Sequence, residues 1–171
     1  QRFLSGFEGK LLTFRRSFGR KTKCVNNGTD SRMEKKSDHR KAGYVSIWVG
    51  DFPLAIALRG YVRINYEDDG PTSMFQEDFN LGRYTPELRE FEFYENPPLE
   101  AAIFLKGASY STSFIDAFKE KFAAFQEEKP NSVILLFDFH FPFERRIPIL
   151  NETNWIVSLG SFPYNRQSRP V

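Results

Sequence analysis

Cysteine is almost missing. Cys24 is the one cysteine among 171 residues, so no disulfide can close within the chain and no cysteine cluster can hold zinc. That usage fits a reduced, cytoplasmic protein. Histidine is nearly as scarce, with His39 and His140 alone. No apolar run approaches the roughly 20 residues that a membrane-spanning helix needs. Glu8 and Lys10 interrupt the apolar positions near the start, which argues against a secretory signal, although Phe14-Arg15-Arg16-Ser17-Phe18-Gly19-Arg20 has the acid-poor composition of an organelle-targeting peptide. A Walker loop, a dinucleotide-binding glycine fingerprint, a zinc-ligand pair and internal repeats are all lacking. These absences leave no cofactor and no metal to expect.

What is abundant is phenylalanine, 19 residues of it, and charge that is unevenly spread. The net charge of +2 hides two opposite parts: residues 1–43 carry 12 Lys/Arg against 4 Asp/Glu, and residues 44–171 carry 12 against 18. A basic stretch therefore precedes an acidic one. Residues 1–43 hold Asn26-Asn27-Gly28 and a mixed polar run, with no apolar periodicity to offset the entropy of ordering them. They are expected to be a mobile lead, and Met33 is the expected natural start. Residues 44–164 are the expected single domain, and residues 165–171 an expected frayed tail.

The domain opens with Tyr44-Val45-Ser46-Ile47-Trp48-Val49-Gly50-Asp51-Phe52, where period-two alternation of β-branched and aromatic residues predicts a strand. Both of its faces are apolar, so it belongs at the centre of a sheet. Pro53 suits the first turn of an amphipathic helix carrying Ala55, Ile56, Leu58, Tyr61, Val62 and Tyr66 at helical spacing, to about Tyr66. Glu67-Asp68-Asp69-Gly70-Pro71 reads as an exposed turn, and Ser73 with Gln76 as a capping box opening a short helix with Phe75 and Phe79. Further on come a half-exposed strand over Leu88–Tyr94 and a short helix over Leu99–Leu105. A longer helix follows, capped by Ser111 or Ser113, with Phe114, Ile115, Phe118, Phe122 and Phe125 as its buried stripe. Ser132–Phe139 is a second buried strand, His140–Arg146 a hairpin or loop, and Trp155–Phe162 the last strand. The pattern predicts an α+β fold, a small mixed or antiparallel sheet of three to five strands with helices packed mainly on one face.

Little of this carries chemistry. Asp138 lies two residues before His140 on one strand face, which would suit an orienting carboxylate with Ser109, Ser111 or Ser113 as nucleophile, but nothing in the sequence brings them together. A strand-end His–Asp pair is commonly a surface pair. The basic residues over 10–41 suggest nucleic-acid binding, yet they sit on no defined element. Carboxylate clusters are the frequent polar feature: Glu67-Asp68-Asp69, Glu77-Asp78, Glu90 with Glu92, and Glu95. Their spacing is not that of a calcium loop. They fit either a solvated face that keeps the domain soluble or a surface that steers a basic protein partner.

Several motifs in succession resemble the immunity protein 22 family of bacterial polymorphic toxin systems. They are Val45-Ser46-Ile47-Trp48-Val49-Gly50-Asp51-Phe52, Tyr61, Tyr66-Glu67-Asp68-Asp69-Gly70, Ser73-Met74-Phe75-Gln76-Glu77-Asp78-Phe79 and Ala108-Ser109-Tyr110-Ser111-Thr112-Ser113-Phe114, followed by Val133-Ile134-Leu135-Leu136-Phe137-Asp138-Phe139 and Leu159-Gly160-Ser161-Phe162-Pro163-Tyr164. The likeness runs from about Tyr44 to Tyr164. Pro53-Leu54-Ala55-Ile56-Ala57-Leu58 departs from it, since similar proteins are more acidic there. The resemblance implies a small cytoplasmic protein, not an enzyme, that binds and neutralises a cognate toxin, with a nuclease as the toxin class an acidic surface would fit. Expected contacts are Asp51, Asp68, Asp69, Glu77 and Asp78, with Trp48 and Tyr66 as aromatic anchors. A nucleic-acid-associated protein using the basic lead is the second reading, and a hydrolase using His140 the third.

Overall fold

The computed structural model describes residues 38–67, 70–149 and 153–168, without the side chain of Glu67. The expectations for residues 1–37, for Asp68 and Asp69 and for the tail beyond residue 168 fall outside that range. The first strand, β1, runs Arg40–Asp51, four residues earlier than its apolar alternation begins. It is the middle strand of a five-stranded antiparallel sheet, flanked by β5 (Ser132–Phe139) and β7 (Asn154–Pro163). The outer strands are β4 (Arg89–Phe93) beside β5 and β6 (Arg145–Ile149) beside β7. The register of β1 against β7 slips between Ile47, opposite Gly160, and Trp48, opposite Ser158. Gly160 takes φ +91° at this bulge, a conformation that residues with a Cβ avoid.

Alternation along the central strands splits the core in two. Val45, Ile47 and Val49, with Val133, Leu135, Val157 and Leu159, face α3 (Ala101–Phe104) and α4 (Ile115–Phe122), whose Phe104, Phe118 and Phe122 complete that layer. Trp48, Ile134, Leu136 and Ile156 face the opposite way, against α1 (Ala55–Val62) and α2 (Met74–Asp78). The α+β class and the antiparallel sheet match the expectation. The helices do not lie mainly on one face; each face is covered by a pair. The reason was visible in β1, since a strand apolar on both sides needs cover on both. Each buried phenylalanine contributes about 1.5–3 kcal/mol, which is how two thin layers can both be stable.

Local differences have local causes. The helix expected to reach Tyr66 ends at Val62, because Arg63 takes an extended conformation (ψ 128°), and Tyr66 instead lies on β2 (Asn65–Glu67), paired with β3 (Gly70–Thr72). Ile56 was placed on the buried stripe but is 74 % exposed. It stands two residues from buried Leu58, about 200° round the helix. Ser73 caps α2 by accepting from the Gln76 amide at 3.2 Å, but the Gln76 side chain donates to the Gly82 carbonyl rather than completing the box. Neither Ser111 nor Ser113 caps α4: they form a short 3-10 turn, and Phe114 occupies the cap position without a side-chain bond.

Candidate partner-binding surface

Two of the expected contacts are structural. Trp48 is fully buried, edge-on to Phe75 at 5.0 Å and Phe79 at 5.7 Å between ring centroids. A side chain with no exposed surface cannot anchor a partner, so the anchor role is corrected to one of packing. Asp51 is half-buried at the end of β1, where its carboxylate accepts from Asn131 Nδ2 at 3.0 Å and Asn154 Nδ2 at 3.2 Å. Asn131 also bridges both backbone groups of Phe52, so this cluster ties the end of β1 to its neighbours. Asp51→Ala is expected to cost about 1–3 kcal/mol, because the buried Asn154 amide and the half-buried Asn131 amide each lose an acceptor. Urea denaturation of the variant would measure the loss, and an unchanged midpoint would free Asp51 for another role.

Three expected contacts do reach solvent. Tyr66 is 79 % exposed on β2, opposite Pro71. Glu77 and Asp78 are exposed on α2. Glu77 accepts from the Thr72 hydroxyl at 3.4 Å, which sets it beside the β2–β3 hairpin. Asp78 accepts from the Tyr61 hydroxyl at 3.0 Å; burial, and then the Asp78 charge, push that phenol well above its usual range.

Beside them lies a feature the sequence reading did not find. An open groove of ≈ 540 Å³ runs between α1, β2 and β4, lined by Ile56, Arg59, Arg63, Tyr66, Arg89 and Phe91 among others. A second hollow beyond Tyr66 adds Arg83 and Glu87. Leu54, at the cap position before α1, is 62 % exposed. The surface is therefore mixed, with carboxylates on α2 and arginines round an apolar groove, and not uniformly acidic. Its one mark in the sequence is Ile56, an apolar residue about 200° round α1 from buried Leu58.

The arrangement imagined for hydrolysis is not assembled. Asp138 has φ +52°, which breaks strand alternation, and its carboxylate accepts from the Gly43 amide at 3.0 Å, the Tyr164 hydroxyl at 2.7 Å and the Arg166 guanidinium. Burial opposes its ionisation, yet these three donors outweigh burial and hold the carboxyl below its usual range. The His140 ring instead meets the edge of Tyr44, 4.9 Å between centroids, and its carbonyl lies 3.1 Å from Nδ1 of His39. His39, assigned to the lead, packs against Phe139 and Phe141. The Ser113 hydroxyl donates to the Tyr110 carbonyl, the Ser109 amide donates to Glu90, and Ser111 is buried. None of these bonds joins a serine hydroxyl to His140. Among the described residues, no three His, Cys, Asp or Glu stand together as ligands for an ion. Of the basic residues proposed for nucleic acid, only Arg40 and Lys41 are described: Arg40 pairs with Asp38, and the Lys41 ammonium sits 4.0 Å over the Tyr44 ring.

Among the described residues no helix is long and apolar enough to cross a membrane. No curated protein and no solved structure matches the chain. A family model, described as Immunity protein 22, matches residues 45–165, the stretch that holds both core layers, all of the five-stranded sheet but the start of β1, and the surface around Tyr66. By that match the chain belongs to the Immunity protein 22 family, whose role in general is immunity to a toxin.

Proposed function

We propose that this chain binds a cognate toxin in the cytoplasm and neutralises it by covering its working surface, as a binding protein without chemistry of its own. The contact face is the one built by α1, the β2–β3 hairpin and α2. The observation that carries this reading is Tyr66, a large aromatic left 79 % exposed beside Ile56 at 74 %. Exposed aromatic and aliphatic side chains gathered at one groove and rimmed by charges are the composition of an interface hot spot. Glu77 and Asp78 supply negative charge on one side. A toxin with a basic, phosphate-shaped site, such as a nuclease, would be steered toward that side.

Tyr66→Ala is expected to weaken toxin binding by about thirtyfold while changing stability by no more than about 0.5 kcal/mol, since an exposed side chain contributes little to folding. Titration calorimetry with the cognate toxin domain, with thermal melts alongside, would measure both. Unchanged affinity would remove Tyr66 from the contact face, and a large fall in melting temperature would mark it as structural.

A further inference from the structure

The two edges of the main sheet are unequal. On β6 the central residue of Arg146-Ile147-Pro148 is followed by a proline that has no amide to donate, and charged Arg145 and Arg146 guard its start. The β4 edge, Arg89-Glu90-Phe91-Glu92-Phe93, contains no proline and has one strand neighbour, β5, among the described residues. The Tyr94 amide donates inward to the Asn131 carbonyl at 2.8 Å, in register with the β4–β5 ladder. By antiparallel alternation, Glu90 and Glu92 turn their backbone groups toward β5, and Phe91 and Phe93 turn theirs outward. The outward amide of Arg89 is already given to the Pro86 carbonyl. What remains is a short open edge centred on Phe91.

Grooves flank this edge on both faces. One, of ≈ 420 Å³, holds Glu90 and Glu92 with Lys106 and Phe104. The other is the groove of Ile56, Arg59, Tyr66 and Arg89 already described. A strand added to β4 would place alternate side chains into the two grooves, as pairing at a sheet edge requires.

Charge decides what that strand is. A second copy paired symmetrically about Phe91 would set Glu90 against Glu92 twice, and centring on Glu90 or on Glu92 would set that residue against its own copy. Like charges directly opposite are destabilising, so each register that keeps most of the edge paired is disfavoured for self-association. We infer that β4 receives an extended segment of the toxin itself, with basic residues opposite Glu90 and Glu92 and apolar or acidic residues directed into the arginine-lined groove. This inference rests on the toxin-binding reading and adds to it the mode of docking.

Amide hydrogen exchange of the full chain, with and without the cognate toxin domain, tests it together with the variants Glu92→Lys and Glu92→Gln. Glu92 is exposed, so neither variant is expected to disturb the fold. The expected result is that toxin slows exchange at Phe91 and Phe93, that Glu92→Lys weakens binding about tenfold or more, and that Glu92→Gln weakens it less. Tight binding with both amides still exchanging freely and both variants unaffected would overturn the docking mode and leave the toxin-binding reading standing. Absence of any binding would remove both. Protection of the two amides that rises with the chain's own concentration, without toxin, would assign the edge to a second copy and overturn the inference.

Discussion

Trp48→Ala is expected to remove about 3–5 kcal/mol of stability, the largest loss of any single substitution considered for this chain. Trp48 has no exposed surface and forms the centre of an aromatic group with Phe75, Phe79 and Phe141. Truncation leaves a cavity between the sheet and α2 that stiff rings cannot close. Domains of this size are stable by only about 5–15 kcal/mol, so the variant would lie close to unfolding at ordinary temperatures. Trp48→Phe separates the two parts of the cost. It keeps a ring in the site and removes an indole N–H that is buried without a partner in the structure, so it is expected to cost under half as much. Denaturant midpoints of both variants would show the order. If Trp48→Ala melted normally and lost only toxin binding, the burial of this residue would be wrong and its original assignment as an anchor right.

Gly50→Ala is the second large effect, at about 3 kcal/mol, from crowding rather than a cavity. A Cβ at Gly50 would stand 2.7 Å from the Trp155 carbonyl oxygen and 3.2 Å from the Cα of Ile156, both backbone atoms of β7. The strands would have to part where Gly50 pairs with Ile156. Gly60 on α1 provides the control: nothing lies within 4 Å of a Cβ there, so Gly60→Ala is expected to stabilise by about 0.5–1 kcal/mol through helix propensity. Thermal melts of the two variants should therefore move in opposite directions. A neutral Gly50→Ala would mean that β1 and β7 are not packed as closely as the structure has them.

The parts of this fold that the sequence disclosed are those where burial imposes a period. Val133 to Phe137 and the alternation from Tyr44 to Gly50 mark strands because water is excluded from them, and Phe118 and Phe122 mark a helix for the same reason. Elements at the rim carry no such period. Strand β6 begins inside the His140–Arg146 stretch expected to be a hairpin or loop, and Arg145, Arg146 and Pro148 look unlike a strand, although an edge strand tolerates all three. The β2–β3 pair has three residues on each side, too few for alternation to register, and Tyr66 was therefore carried onto the preceding helix.

The contact surface was harder to read than the fold, for a related reason. Exposed and buried aromatics look alike in sequence: Trp48 and Tyr66 suit an anchor equally well as residues, and the structure separates them completely. Asp51 was grouped with Glu77 and Asp78 by charge, but it alone is held by two asparagines. The arginines Arg59 on α1, Arg63 just after it and Arg89 on β4 lie well apart in the chain, and only the fold gathers them round one groove.

The proposed neutralisation of a toxin by occupancy is tested most directly by a stoichiometric titration. The activity of the cognate toxin domain would be followed while purified chain is added to it. A blocking partner predicts that activity falls linearly and is abolished near one chain per toxin, that excess chain has no further effect, and that Tyr66→Ala shifts the curve to higher concentration. Full toxin activity at a large excess of folded chain would contradict the account, and so would inactivation of many toxin molecules by each chain, which is the mark of an enzyme.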